Sequence, residues 1–249
     1  LDNHVDSFVI VEATLDHAGN RKKLNFDVKN FTKFKKKINY IIVEDMPKKV
    51  DKIKKNWHSA HTRDQFQRNA LERGYRNFDD DDLIMISDID EIPNPNKISE
   101  FKIQNKYACF IQKNFQAKIN RLNTTISNWP GTKICQKKFL KSPQWLRNLK
   151  NKKTKFWQFY KDKEPQIILD GGWHFSFLKD YNLIQKKIRS FAHQEFNKKY
   201  LTDIELIKKR IKSGIDIFER EYIYEKVELN EQFPDYVLKN KLKFKDWIL

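Results

Sequence analysis

The chain has 249 residues, 39% of them hydrophobic and 14% aromatic, which is enough apolar mass for one α/β domain and excludes wholesale disorder. Six glycines and two cysteines, Cys109 and Cys135, exclude collagen-like repeats, a disulfide framework and a four-thiolate zinc site, and no apolar run approaches the ~18 residues of a membrane span. Lys and Arg outnumber Asp and Glu by 50 to 33, and the net charge of +17 predicts an anionic partner: nucleic acid, a phospholipid surface or a phosphorylated substrate.

Three short apolar runs lead the chain: Phe8–Val11, Ile38–Val43 and Leu83–Ile86. Each is rich in β-branched residues and nearly continuous in apolar character, the pattern of parallel strands covered on both faces. A helix is expected over about 50–75, with Trp57, Ala60, Phe66, Ala70 and Leu71 on its buried side. Strands alternating with a helix imply a mostly parallel α/β sheet flanked by helices. Tyr107–Ile111 reads as a further strand, and Phe115–Leu122 as its continuation. The stretch from Trp129 to Tyr160 lacks periodicity and reads as loop-rich. Helices are expected near Asn182–Glu195, with Leu183, Ile184, Ile188 and Phe191 inward, and from the capping pattern Thr202-Asp203-Ile204-Glu205 towards Phe218. The basic, aromatic tail after Glu225 is expected to pack peripherally. With no linker or repeat, 1–249 reads as a single domain with a helical C-terminal part from about 180.

Acidic residues mark the strand ends: Glu12, Glu44-Asp45, and Ser87-Asp88-Ile89-Asp90-Glu91. In an open parallel sheet, ligands bind beyond the carboxyl ends of the strands. Carboxylates gathered there repel one another unless a cation sits among them, and a hard divalent ion such as Mg²⁺ or Mn²⁺ takes such oxygen ligands. The i, i+2 spacing of Asp88 and Asp90 places both on one side of an extended chain, with Ile89 turned into the core. The Asp79–Asp82 run precedes its strand and reads as a solvated turn.

Phe8-Val9-Ile10-Val11-Glu12, His17-Ala18-Gly19, Ser87-Asp88-Ile89-Asp90-Glu91-Ile92-Pro93, Gly172-Trp173-His174-Phe175-Ser176-Phe177 and Ser190-Phe191-Ala192-His193-Gln194-Glu195 together resemble glycosyltransferase family 17. The resemblance implies a GT-A type fold and inverting transfer from a UDP-sugar, with UDP-N-acetylglucosamine the expected donor. The acceptor would be a glycan or a lipid-linked saccharide. Family members begin with a further strand and a Phe-Asn-Glu-Leu segment, so the fold is expected to lack its first strand and the chain to be truncated at its N-terminus. Asp88 and Asp90 match the family's Asp-x-Asp: Asp90 would ligate Mn²⁺ or Mg²⁺ on the donor diphosphate, and Asp88 would contact the metal or the ribose. Glu12 would bind uracil or ribose. Arg63 would reach the diphosphate, or is a plain exposed helix arginine. His174 would be a further metal ligand, or is a core histidine. Asp170 before Gly171-Gly172 would be the base, ahead of Glu91 and Glu195, or is a turn aspartate. His193 reads as a structural residue or a helix-dipole partner. Trp129, Trp145 and Trp173 would stack on sugars or pack internally.

No nucleic acid partner is expected on this reading, and the location is expected to be cytoplasmic with peripheral contact to an anionic membrane. Two rivals remain at this level: a metal-dependent nuclease and a non-enzymatic basic module that binds anionic polymers.

Overall fold

The computed structural model describes residues 1–47, 59–151, 164–191 and 193–249. The chain opens with β1 (Phe8–Ala13), which pairs in parallel with β2 (Ile38–Val43) in a two-stranded sheet, Phe8 opposite Ile38 and Ala13 opposite Val43. Helix α1 (Ser59–Asn69) and the single turn α2 (Glu72–Tyr75) cover this sheet. Ala13, Val43, Met46 and Ala70 are buried between them. Both helical segments lie within the expected range; Trp57 and the rest of 48–58 lie outside the described residues.

A mixed seven-stranded sheet follows, built from β3 (Leu83–Ile86), β4 (Glu91–Pro93), β5 (Tyr107–Gln116), β6 (Arg121–Asn123), β7 (Asn128–Gln136), β8 (Gln166–Ser176) and β9 (Tyr224–Lys226). β7 runs antiparallel to both β3 and β5, β6 is antiparallel to β5 and β9, β4 is antiparallel to β8, and only β5 and β8 are parallel. The mostly parallel central sheet expected from the apolar runs is therefore corrected: α/β it is, but parallel pairing is confined to β1–β2 and β5–β8 among the described residues. A continuous apolar run reports burial on both faces, and an antiparallel strand buried on both faces produces the same run.

β7 occupies the stretch read as loop-rich. Its polar residues hid it: Thr132, Lys133 and Gln136 are buried, and Lys133 donates to the carbonyls of Arg147 and Leu149, closing the end of helix α3 (Pro143–Asn148). α3 itself starts on Ser142, whose hydroxyl accepts from the Trp145 backbone N–H at 3.1 Å, with Pro143 in the first helical position.

Helix α4 (Tyr181–Ser190) is capped by Asp180 and α5 (Ile204–Lys212) by Asp203, each carboxylate accepting from the backbone N–H three residues on, at 2.8 and 2.9 Å. Ile184, Ile188, Ile207 and Ile211 interlock between them, whereas Leu183 points outward. Ile215 and Phe218 lie beyond the end of α5, which stops before Gly214 at φ +71°. The tail is not peripheral: β9 joins the sheet, and Phe233 and Val237 of the following segment, with helix α6 (Asp235–Lys239), are buried against Phe115, Trp173 and Phe175.

Candidate active site

Period-two alternation gives β5 and β8 two unlike faces. Phe115, Trp173 and Phe175 enter an apolar cluster on one side. Asn114, Gln116, His174 and Ser176 form a polar floor on the other, with Asn114 beside His174 and Gln116 beside Ser176 in register. Above that floor opens a cleft of about 590 Å³, walled by α1, the β3–β4 turn, Lys187 of α4 and the aromatic stretch 218–224.

Asp88, Ile89 and Asp90 lie in the turn between β3 and β4, closed by the Glu91 N–H donating to the Asp88 carbonyl at 2.9 Å. Ile89 is 92% exposed at the cleft, correcting its expected place in the core. The extended geometry that would have turned it inward ends with β3. Both aspartates nonetheless line the same cleft.

Asp88 is held from two sides. Arg68 of α1 donates to Oδ1 at 2.9 and 3.3 Å, and Arg147 of α3 donates to Oδ2 at 3.1 Å. Burial raises the Asp88 carboxyl, but the charges and hydrogen bonds of Arg147 and Arg68 outweigh it and hold the group below the usual carboxylate range. Arg147 also donates to Glu91 Oε1 and to the Gly131 carbonyl, and the Trp129 indole donates to the same Glu91 oxygen at 2.8 Å. Burial pushes Glu91 up to about 7 against the pull of Arg147, with the Asp88 charge adding to the rise.

Asp90 faces the other way. Lys187 donates to its Oδ2 at 3.2 Å, and His174 Nε2 stands 3.8 Å from its Oδ1. The His174 tautomer follows from its neighbours. The Asn114 amide donates through Nδ2 to the Ile126 carbonyl at 3.1 Å, which turns Asn114 Oδ1 towards His174 Nδ1, also at 3.1 Å. Nδ1 therefore carries the proton, and Nε2 presents a lone pair towards Asp90. Trp129 stacks on the imidazole, centroids 4.3 Å apart and planes 14° from parallel. Burial lowers the His174 pKa to about 4 despite Asp90. An unfolded imidazole titrates near 6.5, so stability is full above that pH and falls as pH drops towards 4, by up to about 3 kcal/mol at ~1.4 kcal/mol per unit. Thermal unfolding in metal-free buffer from pH 7 to 4 is expected to decline more steeply for the unmodified protein than for His174→Asn. Equal declines would show that the imidazole is not held neutral.

The remaining predicted residues lie elsewhere. Glu12 sits inside β1 with both oxygens engaged, accepting from Lys22, the Asn25 and Phe26 N–H groups, the Asn25 amide and the Tyr40 hydroxyl. Burial would raise its pKa, but these bonds bring it down to about 2. It fastens the loop after β1. Arg63 is buried against Gly19, donating to the carbonyls of Pro47 and His17 at 3.1 Å each. Asp45 pairs with Arg73 outside the cleft, so the three acidic strand ends do not converge.

Asp170 is exposed on a bulge of β8 at φ +49° and lines a second cavity beside β4, not the cleft that holds His174. The glycines after it serve packing: a Cβ on Gly172 would lie 2.1 Å from the Ile92 carbonyl, and one on Gly171 2.7 Å from the Phe110 Cβ. They admit β4 and β5, not a ligand. Glu91 is sealed beneath Asp88 and Trp129 with no exposed side-chain surface. Glu195 lies near the rim beside His193, past the end of α4. Trp145 packs on Tyr107, and Trp173 donates to the Gln232 carbonyl at 2.9 Å. Arg68, Arg147, Lys187 and Asn114 were not singled out in the sequence. Arg68 alone left a trace there, sharing a helix face with Asp64 at i, i+4.

The family model of glycosyltransferase family 17 matches residues 1–245. No curated protein and no solved structure matches the chain.

Proposed function

Because the chain belongs to glycosyltransferase family 17 and so transfers glycosyl groups, we propose that it uses a UDP-sugar donor and holds a divalent cation between Asp90 and His174. One observation carries this reading: a carboxylate oxygen and a neutral imidazole lone pair face each other at 3.8 Å in the cleft. Two acceptors so placed repel unless a cation or a proton lies between them. The Nδ1–H bond to Asn114 is the outer-shell support that a metal-bound imidazole uses. Asp88, with both oxygens given to arginines, contributes by orienting the turn. An imidazole beside a carboxylate favours Mn²⁺ over Mg²⁺, which keeps to oxygen ligands. The cation would neutralise the charge that develops on the leaving diphosphate.

Lys187 and Arg220 add positive charge along the cleft, where a diphosphate is drawn in. Tyr222, half-buried at the cleft wall, offers an aromatic ring to a saccharide. Since Asp170 faces another cavity and Glu91 is sealed, the acceptor proton falls to a group lining the cleft; Asp64 and His17, 3.9 Å apart, meet that condition. The parallel β1–β2 pair and the Asp-x-Asp turn after β3 support a GT-A type donor half. N-acetylglucosamine is the sugar we assign, and a glycan or lipid-linked saccharide the acceptor. No helix among the described residues is long and apolar enough to cross a membrane; the +17 charge favours contact with an anionic lipid face.

The test is release of nucleoside diphosphate from a panel of sugar nucleotides with saccharide acceptors. UDP-N-acetylglucosamine with Mn²⁺ is expected to turn over and to stop on chelation. Equal turnover in EDTA, or turnover confined to GDP-sugars, would overturn the reading. The nuclease alternative predicts cleavage of nucleic acid under the same conditions.

A further inference from the structure

The motif Ser190–Glu195 is not absorbed by the donor site, yet it ends beside the cleft. There His193 and Glu195 meet His61 of α1, and one ligand atom from each of the three lies within 4.8 Å of the other two. The His61 and His193 rings are 5.1 Å apart and nearly perpendicular at 81°, so their nitrogens converge without the rings stacking. His193 Nδ1 is 2.9 Å from Glu195 Oε1. His61 shares one face of α1 with Asp64 and Arg68, at i, i+3 and i+7, and those two line the cleft, as does His193.

We propose that His61, His193 and Glu195 form a second metal site, for a borderline transition cation such as Zn²⁺, at the mouth of the cleft. Two imidazoles and one carboxylate are a three-ligand set that leaves further coordination positions open. Bonds of about 2.0–2.2 Å draw tetrahedral ligand atoms to roughly 3.3–3.6 Å apart, so separations within 4.8 Å close by at most about 1.5 Å. Phe191 and Phe196 flank His193, at 5.6 and 6.3 Å between centroids, and limit how far its ring turns. The cation would tie the segment after α4 to α1 and so fix the rim of the cleft, with open positions for water or a substrate oxygen. The ligands differ from Asp90 and His174, and the nitrogen-rich set selects a softer ion than Mn²⁺.

The test uses Asp90→Asn protein, which lacks the carboxylate of the other pair, stripped with EDTA and free of nucleotide. Zn²⁺ is titrated by calorimetry and Co²⁺ by its visible absorption. One saturable site is expected, with affinity reduced at least tenfold by Glu195→Gln and again by His193→Ala. Zn²⁺ should also raise the melting temperature of the parent but not of Glu195→Gln. Absence of saturable binding, or a loss below tenfold in Glu195→Gln, overturns the site. Glu195 is exposed, so this variant decides the matter even if a histidine variant fails to fold. Because no donor is present, the outcome is independent of the UDP-sugar reading.

Discussion

Asp90→Asn is expected to lower sugar transfer by about 10²–10³-fold, the scale of losing one preorganised electrostatic contact to a transition state. The amide keeps the side-chain volume and the backbone carbonyl that accepts from the Phe175 N–H at 2.8 Å. What it loses is the charge facing His174 Nε2 and the ion pair with Lys187. Lys187 is itself partly exposed and sits over the Phe177 ring at 4.5 Å, so it keeps a partner. A partly exposed pair of this kind contributes at most about 1 kcal/mol to stability. The melting temperature should therefore barely move while turnover collapses. Turnover within a few-fold of the unmodified protein would remove Asp90 from the chemistry.

The largest expected effect on stability belongs to Arg147→Met. One guanidinium joins Asp88 Oδ2, Glu91 Oε1 and the Gly131 carbonyl. Methionine fills much of the volume but, at alkaline pH where Glu91 is ionised, leaves its charge sealed, with the Trp129 indole as its remaining side-chain donor. Removing one partner of a buried ion pair costs about 3–5 kcal/mol, which for a chain of this size corresponds to a fall of roughly 10 °C in Tm. The sign of the pH effect follows from Glu91, already raised to about 7 by burial. The protonated carboxyl is the form the folded state favours, so the damage should be greatest at pH 8 and least near pH 5. Adding Glu91→Gln should restore part of the loss, since the uncompensated charge disappears. Equal stability of Arg147→Met and the unmodified protein at pH 8 would show that the pair is not sealed. The same group of side chains fixes Trp129, whose ring stacks on His174, so the sealed Glu91 reaches the cleft through Trp129.

Strands with β-branched runs were legible because the signal is local: Phe8–Val11, Ile38–Val43 and Leu83–Ile86 each form a strand close to the expected bounds. Their partners were not legible, since pairing direction is set by distant segments. β7 was hidden by Lys133, which is buried only because two carbonyls at the end of α3 await it. The Asp-x-Asp turn and His174 were found from motifs, and the structure brings them to one cleft. Glu12 and Arg63 carried the right chemistry for a donor site, but both are spent on loop carbonyls and amides, and no spacing rule reports that a polar side chain is already satisfied. Arg147 escaped because its role depends on α3 folding back beneath the β3–β4 turn, a long-range contact in a stretch without periodicity.

Calorimetric titration of UDP into the metal-free protein, with and without Mn²⁺, tests the central claim most directly. The pairing of Asp90 with a neutral His174 predicts UDP binding that requires Mn²⁺ and is lost in Asp90→Asn. UDP binding of equal affinity without the metal, unchanged in Asp90→Asn, would contradict it.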